Sequence, residues 1–293
     1  MFIDIHVHTR KIPGMPRNGK QAYATPEQLI ERYDALDIES AVLLPGVNPE
    51  CSYVPQSNEE VIEISQKWPG RFIPFCNIDP RAMRNSPDAP LNEMIAFYKE
   101  KGCKGVGEVC ANLPFDHPLV QNLFKHCEAL QMPLTFHIAH KIGGVYGLYD
   151  EPGLPLLEGA LSRFPGLIFL GHSQAFWSEI APLETIESRE GYPKGPVGEG
   201  GAVPRLMRKY PNLHGDLSAG SGFNAVSRDV DFGCRFLEEF QDRLYFGTDI
   251  CAPDTPTPLV DFLKDLRDKE KISEECFEKI SRGNAVKLLG LYD

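Results

Sequence analysis

Residues 2–8 read Phe2-Ile3-Asp4-Ile5-His6-Val7-His8, an alternation of apolar and polar side chains that marks a β-strand. Strand phase assigns Ile3, Ile5 and Val7 to one face and Asp4, His6 and His8 to the other. The expectation is a polar face directed into a closed barrel and an apolar face directed at surrounding helices. Two imidazoles spaced two residues apart on one strand face sit close enough to bind a single metal ion. An isolated pair of this kind also occurs for purely structural reasons, so the rest of the chain decides its meaning.

Working outward from that strand, short apolar runs alternate with longer helical patterns eight times. Strands are expected near 2–8, 40–46, 72–78, 104–110, 133–139, 167–172, 213–218 and 243–249. Such alternation is what parallel strands joined by crossover helices require, and it predicts an α/β protein with a (β/α)8 TIM barrel. No linker interrupts it, so residues 1–293 form one domain. Thr25-Pro26 pairs an N-cap residue with proline at the first helical position, and Ser57 caps the next helix. Asp79-Pro80 is a turn that leaves the following helix without a clear cap. Two stretches exceed the usual short connection, residues 9–24 and residues 181–204, and both leave the carboxyl ends of strands. Within the second, the Gly- and Pro-rich run 191–204 reads either as a lid or as a surface excursion.

Composition narrows the function classes. With 42% hydrophobic and 24% charged residues the chain is built to bury a sizeable core. A net charge of −11 argues against a general nucleic-acid surface. The first residues already read as a strand, leaving no room for a signal peptide, and no apolar run is long enough to span a bilayer. Eight cysteines occur without a C-x-x-C pair, so neither a zinc ribbon nor a thioredoxin-like motif is visible, and reduced thiols in the cytoplasm are expected.

Glu108, His137, His172 and Asp249 each fall at the end of a different expected strand, and with His6 and His8 they converge on one rim. Imidazoles and carboxylates suit zinc, manganese, iron or nickel, with zinc the default expectation. Asp249 is the candidate proton acceptor for a metal-activated water. Arg10, Lys11, Arg17 and Lys20 make the first long loop basic, which suits either steering of an anionic substrate or plain solvation. His140 is read as a substrate contact or an ordinary loop residue, and Trp177 as a pocket wall or packing. Asp216 should point inward, to orient a ligand histidine or the substrate or simply to hydrogen-bond in the interior. His117 and His126 are expected at the surface.

The ordered motifs I-D-I-H-V-H, G-V-G-E-V, F-H-I-A-H, L-G-H-S and F-G-T-D resemble the amidohydrolase superfamily. They look most like the amidohydrolase-related branch that includes aminocarboxymuconate semialdehyde decarboxylase and the resorcylate decarboxylases. The stretch Gly283–Leu291 is similar to that branch's terminal helix. The resemblance implies that His6, His8, His137 and Asp249 hold a metal, while His172 completes a second site or acts as acid and base. It also implies a small-molecule substrate and a homodimer. Glu108 departs from the branch: binuclear members place a bridging carboxylate there, so one or two ions are expected, with Glu108 either bridging them or hydrogen-bonding a ligand histidine. Three functions follow: hydrolysis of an amide, ester or lactone, non-oxidative decarboxylation of an aromatic or muconate-like carboxylate, or metal binding without catalysis.

Overall fold

A computed structural model of the chain describes residues 1–52 and 54–292. Strands β1 (Phe2–Val7), β2 (Ile38–Leu43) and β3 (Phe72–Pro74) pair in that order, all parallel. Strands β4 (Val106–Val109), β5 (Leu134–Ala139), β7 (Phe169–His172), β8 (Leu213–Asp216) and β9 (Leu244–Tyr245) form a second parallel run. Backbone hydrogen bonds join the two runs into a barrel at both seams. Cys76 donates to Gly105 and Gly107 donates to Cys76 between β3 and β4. Ile5 donates to Phe246, Asp249 to His6 and His8 to Ile250 between β1 and the segment after β9.

The two-residue strand β6 (Leu148–Tyr149) was not expected; it pairs with the upper end of β5. Strands β5 and β7 end where expected, at Ala139 and His172, and the others stop one to four residues short of the expected ends. The largest difference is β9, which pairs with β8 only at Leu244 and Tyr245 before the chain crosses to β1. Asp249 therefore stands beyond its strand, in the left-handed region with φ 52°.

Helices α1 (Pro26–Leu36), α2 (Asn58–Lys67), α3 (Leu91–Glu100), α4 (Pro118–Ala129) and α5 (Pro155–Arg163) cover the first part of the barrel. The short α6 (Gln174–Trp177), then α7 (Ala202–Lys209), α8 (Ala219–Ser227), α9 (Val230–Glu239), α10 (Pro258–Asp268), α11 (Glu274–Glu278) and α12 (Asn284–Leu289) complete it. Thr25 and Ser57 cap α1 and α2 through their side chains, and α3 starts at Leu91 without a side-chain cap, as expected. Among the described residues, no helix is long and apolar enough to cross a membrane.

The phase of β1 differs from the expectation. Ile3 and Ile5 pack with Val42, Ile73, Leu170 and Tyr245 from other strands, including β7 across the barrel, so these isoleucines fill the interior. Ala285 and Leu289 of α12 close the same cluster. Phe2 instead meets Phe246 and Phe277, and Asp4 faces Tyr33 of α1. The β1–β2 register shifts between Asp4 and Val7, and this irregularity turns His6 and His8 toward the barrel mouth although Asp4 points outward. Apolar layers thus fill the barrel, and polar chemistry is confined to its top.

Asp4 ties the seam together. Its fully buried carboxylate accepts from His6 N at 3.0 Å, Thr248 N at 2.9 Å, Thr248 Oγ1 at 2.5 Å and Tyr33 Oη at 2.5 Å. The long connection after β7 is also pinned rather than loose. Buried Arg189 donates to Asp150 O at 2.8 Å and ion-pairs with Glu179 at 3.0 Å, and α7 begins at Ala202 with Pro204 in its first turn. Asp4→Ala leaves several buried donors without an acceptor and is expected to cost at least about 3 kcal/mol in urea unfolding, with Asp4→Asn in between.

Candidate metal centre

The barrel mouth collects the expected donors at the tops of β1, β4, β5 and β7 and on the segment after β9. His6 Nε2 lies 3.1 Å from His8 Nε2. Glu108 Oε2 lies 3.7 Å from His6 Nε2 and 3.6 Å from His8 Nε2, while Asp249 Oδ1 is 3.6 Å from each. Ligands bonded to one ion at about 2.0–2.2 Å stand roughly 3.0–3.6 Å apart at right or tetrahedral angles, so this spacing suits a shared cation.

The opposite ring nitrogens test that fit. His8 Nδ1 is 2.8 Å from Leu44 O, an acceptor alone, so Nδ1 carries the proton. His6 Nδ1 is 2.6 Å from Asp216 Oδ2 and donates to it in the same way. Burial alone disfavours a charge on His6, but Asp216, Glu108 and Asp249 outweigh it and hold the imidazole well above its ordinary range, so positive charge is favoured where His6 Nε2 meets His8 Nε2 at 3.1 Å. A divalent cation would supply that charge, and the donor set fits one.

Glu108 extends the arrangement. Its Oε2 faces His6 and His8, whereas its Oε1 lies 2.7 Å from His137 Nδ1 and 3.8 Å from His172 Nε2. One carboxylate therefore stands between two imidazole pairs. Burial alone disfavours its charge, but the hydrogen bond with His137 and the nearby imidazoles of His6 and His8 outweigh burial and hold Glu108 well below the usual carboxylate range. Asp216 follows the same logic: despite burial, His6 and His172 keep it ionised far below its ordinary value. Ser218 Oγ at 3.0 Å and Asp216 at 3.4 Å fix His172 Nδ1, leaving Nε2 directed toward Glu108 and Asp249.

These donors open into a cavity whose walls include Arg10, Arg17, Tyr23, Gln56 and Tyr146. A family model described as Amidohydrolase matches residues 3–291. The chain belongs to the amidohydrolase family.

No curated protein matches the chain. Solved structures do. An uncharacterized TIM-barrel protein from Bordetella bronchiseptica is 18% identical with a TM-score of 0.66, covering 99% of this chain and 98% of its own. A dihydroxybenzoic acid decarboxylase from Polaromonas sp. JS666, with bound manganese and the inhibitor 2-nitroresorcinol, is 17% identical at TM-score 0.63, covering 100% and 97%. A probable 2-pyrone-4,6-dicarboxylic acid hydrolase from Acinetobacter baumannii, with citric acid bound, is 14% identical at 0.58, covering 99% of each chain. These likenesses confirm the TIM barrel. Membership in an enzyme family sets aside the non-catalytic reading.

Within this amidohydrolase the structure sorts the remaining expected site residues. Arg10 and Arg17 line the cavity, while Lys11 pairs with Glu63 and Lys20 with Asp254 outside it. Asp216 is fully buried beneath the histidines, in contact with His6 and His172 and outside the cavity lining. Trp177 is no pocket wall: its indole donates to Asp216 O at 2.9 Å and packs against Phe176 and Phe236 in the core. His140 sits in an adjoining cleft, with Nε2 3.1 Å from Glu190 Oε1. His117 and His126 are half-buried rather than at the surface, and His117 Nδ1 caps α4 by accepting from Leu119 N.

Sequence reading missed Tyr23, Tyr146, Ser218 and three cysteines of the cavity, Cys51, Cys110 and Cys251. A signal for two of them was present. Glu108-Val-Cys110 and Asp249-Ile-Cys251 repeat the His6-Val-His8 spacing. Asp216→Asn removes the charge that orients His6 and is expected to weaken metal affinity about 10- to 100-fold, read by competition with a chelating dye.

Proposed function

We propose that this amidohydrolase hydrolyses the carbonyl group of a small, carboxylate-bearing amide, ester or lactone. The observation that carries the reading is Glu108, whose two oxygens face two different imidazole pairs. That arrangement supports a two-ion centre in which His6, His8 and Asp249 hold one ion, His137 and His172 the other, and Glu108 bridges. Divalent ions there, zinc by default, would polarise the substrate carbonyl and acidify a water.

The protein's own groups supply the rest. Asp249 is about a quarter exposed to the cavity, unlike buried Glu108, so it can take the proton of the attacking water and return it to the leaving group. His6 and His8 keep fixed orientations through Asp216 and Leu44 O, so little reorganisation is needed as charge develops. Arg10 and Arg17 approach the Tyr23 ring at 4.4 and 5.6 Å to its centroid. Arg10 donates to Ser52 at 2.7 Å, and its buried Nε has no protein partner among the described residues. The two guanidiniums suit a substrate carboxylate.

Decarboxylation is the second reading, and the comparisons favour it: the named enzymes among the similar structures are mainly decarboxylases acting on hydroxylated benzoates. There the ion anchors the substrate, and His172 or Asp249 delivers a proton to carbon. Eight free thiols support a reducing, cytosolic setting. The homodimer rests on the family resemblance alone.

Plasma mass spectrometry of protein purified without added metal is expected to give two ions per chain, falling to one or none in Glu108→Gln. Asp249→Asn should lower kcat on a panel of carboxylated lactones and amides by about 10²–10⁴. One ion per chain, unaffected by Glu108→Gln, together with carbon dioxide release from dihydroxybenzoates and no hydrolysis, would replace this reading with the second.

A further inference from the structure

Three of the eight cysteines line the metal cavity, and two of them, Cys110 and Cys251, fall within groups of possible metal donors. Cys110 follows β4 two residues after Glu108 and is 1% exposed. Its backbone N–H donates to Asn48 Oδ1 at 2.8 Å, which fixes the turn that presents the thiol. Donor atoms of Glu108, Cys110 and His137 all lie within 4.8 Å of one another, and all three residues are buried. The Glu108–His137 contact in this group is 2.7 Å.

The two sides of Glu108 are unequally supplied. On the Oε2 side, His6, His8 and Asp249 complete a set of four donors with Glu108 itself. On the Oε1 side, His137 at 2.7 Å and His172 at 3.8 Å make only three donors with Glu108 itself. Cys110, which falls in one group with Glu108 and His137, is placed to supply a fourth. Cys251, on the opposite flank, is 4.0 Å from Asp249 Oδ1 and adjoins the set that is already complete.

We propose that Cys110 is a thiolate ligand of the second ion, which it shares with Glu108, His137 and His172. The proposal rests on the two-ion reading and refines it. With Cys110 the second ion has four protein donors, as many as the first. Thiolate also sets the class of metal. A sulfur donor selects zinc, or cobalt as its spectroscopic substitute, over the oxygen-seeking manganese and magnesium. With two divalent cations and the three anionic groups Glu108, Asp249 and Cys110, the centre keeps a net charge of +1, suited to a carboxylate substrate.

Cobalt(II) is the probe. Apo-protein titrated with cobalt is expected to develop a sulfur-to-cobalt charge-transfer band in the near ultraviolet with the second equivalent. Cys110→Ser should lose the band and weaken the second equivalent at least tenfold, while Cys51→Ser and Cys251→Ser keep both. X-ray absorption of the zinc-loaded wild type needs no variant and should show a sulfur neighbour at about 2.3 Å. Cobalt uptake without the band, a band that survives Cys110→Ser, or a zinc shell of nitrogen and oxygen alone overturns the role of Cys110 but not the metal centre. Failure to bind either metal overturns the centre as well.

Discussion

The site depends on the seam where the first strand meets the last. Residues 4–8 and 246–250 are separated by nearly the whole chain, yet three backbone hydrogen bonds and the Asp4 carboxylate fasten them side by side. Asp4 accepts from backbone and side-chain donors on β1, α1 and Thr248, so loss of any one partner loosens the others. Without that seam, His6 and His8 would not meet Asp249. Asp249 is held in the left-handed region by its N–H to His6 O at 2.8 Å, a conformation that aspartate tolerates better than most side chains. The local strain sits where the chemistry is placed, and the barrel closure sustains it.

Charge organises what the seam assembles. Three carboxylates, four imidazoles and a thiol share a small volume at the barrel mouth, and buried charge of one sign is costly unless it is paired. Asp216 offsets His6 and His172 from below, and Glu108 is held ionised between its histidines. The Nε2 atoms of His6 and His8, 3.1 Å apart beside Glu108 and Asp249, mark where a cation belongs. Glu108 faces imidazoles on both sides, His6 and His8 with one oxygen and His137 and His172 with the other. Hydrolysis and decarboxylation differ in how many ions it must serve, and the same cavity with Arg10 and Arg17 at its edge accommodates an anionic substrate in either reaction.

Legibility of the structure varied with the range of the interaction. Alternating apolar runs and helical patterns made the parallel barrel readable, as did the caps at Thr25 and Ser57, because these signals are local. The strand-end positions of Glu108, His137 and His172 were readable for the same reason. The phase of β1 was not, since a register shift between Asp4 and Val7 is an outcome of pairing with β2. Trp177 stayed open between pocket wall and packing because its partner, the Asp216 carbonyl, lies on another strand. The cavity cysteines escaped notice since they lack a C-x-x-C spacing, although two of them repeat the spacing of the histidine pair.

By itself, then, the sequence determined the fold class, the six converging donor residues and the family resemblance, because each is written in residue type and periodicity within a strand or across an ordered set of motifs. Tertiary structure alone decided which nitrogen of each histidine faces the centre, that Glu108 stands between two imidazole pairs, and that Asp216 lies beneath them rather than in the cavity wall. It also decided that Cys110 adjoins Glu108 and His137. These are distances between groups on different strands, and they exist only once the barrel closes.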